Sequence, residues 1–264
     1  MGGSVECGAV AVHELHRAFR ANTLATYLGL VEPISSTVVT RPMGFTLVRG
    51  PGPFSFCNFA AGFDVEEADC DAVLDLLSEN CSDCPGLHVF VMSGDRPPDL
   101  QARLEAAGFE LKLRLVSMAW HPQEAAEDAA LAEVVEPEER RHVAEFMASQ
   151  FFWRLPDEAR AAISAATAAS RHSLQSIGPA EDPVASVMLV PQPGTLGLYN
   201  LCVKPDLRGK GVGRSVVRTI QHSASLSGRT VVLQCDRLLA PWYGQLGFKE
   251  AGEVCAFSFC SSSE

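Results

Sequence analysis

The 264-residue sequence is short of positive charge, of paired metal-binding cysteine motifs and of long apolar runs, and each shortage removes a class of function. Lysine and arginine number 21 against 32 aspartate and glutamate, a net charge of −11, which argues against a general nucleic-acid binder. No apolar run reaches the length of a membrane span, and the first residues lack a basic stretch followed by a hydrophobic one; a soluble, unprocessed protein with no membrane partner is expected. The nine cysteines, an odd number without a secretory signal, are expected to stay reduced in the cytoplasm. Cys81-Ser82-Asp83-Cys84 is one CxxC without a second pair, so these read as surface or helix-end thiols and no metal is expected. At 47% hydrophobic residues, the chain can bury a large core in one or two domains.

What is present is a strand exit, a glycine turn and a helix start in immediate succession, from Val203 to Arg214. The apolar run Leu196 to Val203 is ended by Pro205, and Val212, Val216, Val217 and Ile220 then recur at helical spacing. Glycines at 209, 211 and 213 let the backbone take positive φ and approach a ligand closely. Successive N–H groups at the positive end of the helix then converge on an anion, with Arg208, Lys210 and Arg214 around it. A P-loop does not fit, because aligning Gly213-Arg214-Ser215 to its end puts Arg208 at the first glycine and Arg214 at the lysine. A dinucleotide fingerprint does not fit either, since Gly209-x-Gly211-x-Gly213 has the wrong period. A diphosphate cradle and a solvated glycine turn remain.

Downstream, Arg229 to Cys235 reads as a buried strand, and Leu239 to Phe248 as a short helix stopped by Gly247. Arg208-x-x-Gly211-x-Gly213 and Tyr243-x-x-Leu246-Gly247-Phe248, in that order and separated by one helix and one strand, resemble two signatures of the GNAT superfamily of acyl-CoA-dependent N-acyltransferases. The resemblance covers roughly Leu196 to Phe259. It implies an α/β (α+β) fold with a mixed, mostly antiparallel central sheet flanked by helices, and acetyl-CoA or another acyl-CoA as co-substrate. It implies that Leu201, Cys202 and Val203 offer backbone groups to the pantetheine arm. Arg208, Gly209, Lys210, Gly211, Val212, Gly213 and Arg214 are implied to hold the diphosphate, and Tyr243 to protonate the departing thiolate, with core packing as the alternative for that tyrosine. Asp236 stands where relatives often carry an asparagine facing the cofactor; a helix N-cap is its alternative reading. Where many members place a glutamate, this chain offers Gly197, Leu198, Tyr199 and Asn200, so the base is unassigned, and Tyr199 and Asn200 are expected to order a water or the acceptor. Cys202 and Cys235 read as small buried residues inside strands.

The first half also alternates strand and helix patterns. Strands are expected over Arg41 to Pro53, Phe54 to Phe63, Leu87 to Met92 and Leu111 to Trp120, and helices over Val65 to Cys81 and Asp99 to Ala107. Leu104 to Glu110 echoes Gln245 to Glu250, each a short helix ending in Gly-Phe before a final strand, which suggests an internal repeat. The first half lacks the glycine turn and carries Asp64, Glu66 and Glu67 in its place, which would repel a diphosphate. The chain therefore resembles tandem GNAT proteins: a degenerate unit over 1–122, a linker from His121 to Asp128, and a cofactor-binding unit over 129–264. In the second unit Ala130 to Val135 reads as a strand, and Glu138 to Gln150 and Pro156 to Ser170 as helices. By the resemblance these helices overhang the acceptor, and Phe151-Phe152-Trp153-Arg154 in their connection, Phe152 and Trp153 above all, line an apolar acceptor site or else pack against the sheet. The expected function is acetyl transfer from acetyl-CoA to a small-molecule amine in a ternary complex. A protein acceptor, O-acyl transfer and a non-catalytic acyl-CoA-binding module are the alternatives, and the oligomeric state is open.

Overall fold

The computed structural model describes residues 3–84, 86–124 and 130–259. Its first half runs α1 (Gly3–Val31), β1 (Val38–Thr40), β2 (Thr46–Arg49), β3 (Asn58–Ala61), α2 (Cys70–Asp83), β4 (His88–Met92), α3 (Leu100–Ala106) and β5 (Phe109–Trp120). The second runs β6 (Ala132–Val134), α4 (Pro137–Phe151), α5 (Asp157–Ala169), β7 (Ser173–Ile177), β8 (Ala185–Gln192), β9 (Thr195–Val203), α6 (Val212–Leu226), β10 (Thr230–Cys235), α7 (Ala240–Gly244) and β11 (Lys249–Phe259). All eleven strands join one sheet, ordered β1-β2-β3-β4-β11-β5-β10-β9-β8-β7-β6. Among the strands of the described residues only β3–β4 and β9–β10 pair in parallel, and in each half a helix, α2 or α6, makes that crossover.

The last strands of the two halves change places. β11 lies between β4 and β5 of the first half, while β5 lies between β11 and β10 of the second. The long β5–β11 ladder runs from Phe109 opposite Phe259 to Ala119 opposite Lys249. The echo seen in the sequence is structural at this point: Gly108 (φ 88°) and Gly247 (φ 85°) end α3 and α7 in the left-handed region that favours glycine and feed β5 and β11. Of the linker expected over His121 to Asp128, residues 125–128 lie outside the described residues.

Several elements are shorter than their patterns predict. The two strands expected over Arg41 to Phe63 shrink to β2 and β3, because Gly50, Pro51, Gly52 and Pro53 occupy the turn between them. The helix expected from Val65 begins at Cys70, after a single 3₁₀ turn. Helix α1 has no counterpart in the sequence reading. Its buried face mixes Phe19 and Val31 with Asn22, Thr23 and Thr26, so no clean apolar stripe marks it. The helix lies across both halves: Phe19 and Val31 pack with Val48, Phe59 and Met92 of the first and Val232 of the second. Asn22 donates to the Val190 carbonyl at 3.0 Å and to Thr195 Oγ1 at 3.1 Å. Gly197 permits this approach, since a Cβ there would lie 2.2 Å from Asn22 Oδ1. Helix α4 is tied down by Arg140, whose guanidinium donates to the carbonyls of Val134, Ala168, Ser170 and His172.

In the first half the parallel pairing of β3 and β4 resumes where it would otherwise open. After the pair Ala61–Phe90, the Arg96 N–H bonds the Phe63 carbonyl at 3.0 Å and the Val65 N–H bonds the Arg96 carbonyl at 3.2 Å. The Arg96 side chain pairs with Asp64 at 2.5 Å. Asp95 is buried beside this closure, accepting the Met92 N–H at 2.8 Å, with Arg20 3.5 Å away. Burial pushes its carboxyl up to about 7, against the hydrogen bonds and the guanidinium that favour the charged form. The folded state therefore holds this proton more tightly than the unfolded chain, and the stability it confers is lost as pH rises from about 4 to about 7. Asp95→Asn removes that slope, so urea unfolding should show the variant gaining on the parent between pH 4.5 and 7.5; a pH-independent difference would refute the assignment.

Candidate active site

The parallel pairing of β9 and β10 stops after three residues, Thr195 to Gly197 opposite Thr230 to Val232. Both strands run on, β9 to Val203 and β10 to Cys235, so a fork opens between them. On its other side β9 stays paired to β8, through a bulge that sets Tyr199 to Cys202 against Met188 to Ser186. Asn200 takes φ 51° there, a conformation asparagine tolerates better than most residues. A bulge strengthens local twist and turns the strand away from its neighbour. The β10-facing edge of β9 beyond Gly197 is thus backbone without a strand partner, a surface on which an extended, amide-bearing ligand can pair.

The glycine turn closes the end of the fork. Gly209 (φ 75°) and Gly211 (φ 87°) are both left-handed, and a Cβ at either would meet nothing within 4 Å. Glycine is required here by backbone angle, and the space above it is open. Gly211 caps α6 without a side-chain cap, and the first helical bond runs from Ser215 N–H to the Gly211 carbonyl. The N–H groups of Val212, Gly213 and Arg214 therefore have no helical acceptor and face the end of the helix, where an anion binds. Arg208 is held beside them, donating from Nε to the Val203 carbonyl at 3.0 Å and from Nη2 to Gln150 Oε1 at 2.6 Å.

Fork and turn enclose one cavity of about 620 Å³. Its walls bring together the sequence-predicted Leu201, Cys202, Val203, Arg208, Gly209, Gly211, Val212, Gly213, Arg214 and Tyr243. Lys210 belongs to the turn but not to the lining. Asp236 is also outside it: its carboxylate accepts the Leu238 N–H at 2.8 Å in a local turn ahead of α7, whose N-cap is Leu239, so the expected helix-cap role is not met either. Tyr199 points at α1, donating to Asn22 Oδ1 at 3.0 Å. Trp153 is exposed, with the Arg154 guanidinium 4.6 Å over its ring, and neither it nor Phe152 reaches the cavity; their neighbour Phe151 does, beside Gln150. Phe151 belongs to the segment expected to line the acceptor site, whereas Gln150, Leu207, Leu239 and Trp242 were not anticipated as site residues. Trp242 adjoins the tyrosine of the motif and was findable; the end of α4 arrives only through tertiary packing.

Tyr243 is buried, edge-on to Trp242 at 4.7 Å and to Phe248 at 5.5 Å. Burial, with a smaller contribution from Cys235, raises its hydroxyl above the usual tyrosine range and keeps it protonated at neutral pH. Burial likewise pushes the Cys202 thiol up to about 11, with Ser186 Oγ 3.1 Å from its sulfur. The charges on the lining are the guanidinium groups of Arg208 and Arg214; among the described residues no carboxylate or imidazole lines it. Among the described residues, too, no His, Cys, Asp and Glu cluster could hold a metal ion, and no helix is long and apolar enough to cross a membrane. Cys81 and Cys84 are free thiols at the end of α2.

Residues 176–250 match the acetyltransferase (GNAT) domain family. A comparison with curated proteins found no match. Among solved structures, the chain is similar to a GCN5-related N-acetyltransferase from Kribbella flavida, at 17% identity and TM-score 0.61 over 92% of this chain and 96% of that one. It is similar to a tandem GNAT protein from the clavulanic acid biosynthesis pathway, at 12% identity and TM-score 0.58 over 97% and 96%. An acetyltransferase of the GNAT family from Novosphingobium aromaticivorans aligns at 14% identity and TM-score 0.54 over 92% and 97%. At these identities the likeness is one of fold, and it spans both halves.

Gly213 offers a clean test of the cradle. It is inside α6 with ordinary helical backbone, and a Cβ there would make only van der Waals contacts, 3.6 Å from Val203 and 3.7 Å from Trp242. Gly213→Leu should fold with stability within ~1 kcal/mol of the parent, while its side chain fills the cavity and lowers CoA affinity at least about tenfold, a loss of about 1.4 kcal/mol. Unchanged affinity by calorimetry would remove the cradle.

Proposed function

We propose, on the premise that this chain is a GNAT-superfamily protein whose second half carries the acyltransferase domain, that it transfers an acetyl group from acetyl-CoA to an amine of a small molecule within a ternary complex. The observation that carries the reading is the convergence of the open β9 edge, the helix N-terminus of α6 and the Tyr243 hydroxyl on one cavity. The residues fit the co-substrate. Val212, Gly213 and Arg214 would hold the diphosphate through their N–H groups, with the Arg208 and Arg214 side chains balancing its charge. The β9 backbone at Leu201, Cys202 and Val203 would pair with the pantetheine amides. Attack by the acceptor nitrogen on the thioester carbon forms the C–N bond and breaks the C–S bond, Tyr243 gives the departing sulfur its proton, and the proton shed by the acylated nitrogen passes through water to restore the Tyr243 phenol. Positioning of the two substrates supplies much of the acceleration.

The same reading assigns the cofactor site to residues 129–264 and none to residues 1–122, where Arg96 and Asp64 occupy the place of the fork. Calorimetry should give one CoA per chain, and two would refute this division. The absence of a carboxylate or imidazole from the described lining also favours a second reading, an acyl-CoA-binding module without turnover. Thiol release from acetyl-CoA against a panel of amines separates the two, since tight binding with no release supports the module.

Tyr243→Phe keeps the ring that packs against Trp242 and Phe248, so the fold should survive. The hydroxyl matters in the transition state far more than in ground-state binding; kcat should fall about 10²–10⁴-fold with acetyl-CoA affinity nearly unchanged. Full turnover with an acceptor whose chemical step is rate-limiting would return Tyr243 to a packing role.

A further inference from the structure

An alkyl ammonium must lose a proton before its nitrogen can attack a thioester, and the proton needs a receiver. Neither titratable group with a proton on the cavity lining can serve: Tyr243 and Cys202 are both held in their protonated forms by burial. The lining charges, Arg208 and Arg214, are cations. His172, near the opposite face, does not offer a base to the fork. Its ring is buried behind α1, 2.9 Å from the Thr26 carbonyl through Nε2, and burial lowers its pKa.

The polar groups at the fork are neutral as well. Gln234 and Tyr199 are the side chains just past the last β9–β10 pair that reach the α1 face, and α1 holds each of them. Gln234 Nε2 donates to Thr23 Oγ1 at 2.7 Å, and Tyr199 to Asn22 Oδ1 at 3.0 Å. Thr23 and Asn22 are fully buried, whereas Gln234 is half-buried, and its amide makes no other hydrogen bond among the described residues. An amide held by one N–H, with its carbonyl oxygen uncommitted, can accept from an N–H or O–H of a ligand but gives a cation little compensation for lost water.

Resting on the acyl-transfer reading of this site, we infer that the acceptor is a nucleophile already uncharged in water at neutral pH, a weakly basic nitrogen such as that of an aryl amine or hydrazide, seated on Gln234 with α1 of the first half as its back wall. Gln234 is then the group that touches the acceptor, and Thr23 is a positioning residue that fixes the Gln234 amide.

The test uses the full chain, acetyl-CoA and two acceptor sets: aryl amines and hydrazides, and alkyl amines with conjugate-acid pKa about 10. At pH 7 the weakly basic set should turn over faster. For alkyl amines kcat/KM should rise about tenfold per pH unit between pH 6 and 9, following the free-base fraction with no enzyme group titrating. Gln234→Leu should raise acceptor KM about tenfold and leave acetyl-CoA affinity unchanged. Thr23→Val should raise acceptor KM less, again with acetyl-CoA affinity constant. Gln234→Glu, which places a carboxylate at the fork, should shift preference towards alkyl amines. Preference of the parent for alkyl amines at pH 7, a kcat/KM plateau set by an enzyme group near 7, or an unchanged acceptor KM in Gln234→Leu would overturn the inference. So would turnover of alkyl amines without turnover of the weakly basic set, while turnover of neither set, or failure of the parent to bind acetyl-CoA, would overturn the acyl-transfer reading beneath it.

Discussion

Beyond Gly197 and Val232 the neighbouring strands β9 and β10 run on without pairing to each other, and the rest of the second half is arranged around that separation. Buried backbone N–H and C=O groups are normally paired, so an open fork persists only where each strand is held from its other side. β9 is held by β8 and bent by the bulge at Asn200, and β10 is held along its length by β5. The glycine turn and α6 then set a positive helix end across the opening. One geometric choice thus places the open strand edge beside the free N–H groups at the start of α6.

The first half supplies much of what keeps the fork in shape. The strand that backs β10 is β5, and the helix that locks Tyr199 and Gln234 is α1, both from the N-terminal half. In return β11 completes the first half's sheet between β4 and β5. Duplicated architecture has been put to two uses: one fork is stapled shut by Arg96, Asp64 and renewed backbone pairing, and the other is left open. Neither half has a finished sheet without the other.

Electrostatics separates surface from site. The net charge of −11 is carried on the outside, where some of the exposed acidic groups pair with arginines, as in Arg103–Asp99 and Arg141–Glu145. Such exposed pairs contribute little to stability. At the cavity the balance reverses to guanidinium groups, backbone donors and protonated side chains. The sign that matters for a ligand is therefore local, and the overall acidity of the chain is no guide to its acceptor.

The sequence by itself determined the chemistry that is local along the chain. Glycine spacing, proline punctuation and the Tyr243 motif act through neighbours within a few residues, so the glycine turn, the place of Tyr243 and the strands they flank were legible. The Gly-Phe echo exposed the repeat for the same reason, because Gly108 and Gly247 each end a helix by a local backbone angle. Only the tertiary structure decided how the halves interleave. Nothing in a strand of mixed polarity such as β5 or β11 specifies which of several equivalent edges it joins, as the pattern of its residues fits any of them. The same limit hid α1, whose buried Asn22 and Thr23 look like surface until Val190, Thr195, Tyr199 and Gln234 arrive from more than a hundred residues away to satisfy them. It also hid Gln150, which enters the cavity beside Phe151 because Arg140 anchors α4 to four carbonyls brought together by folding.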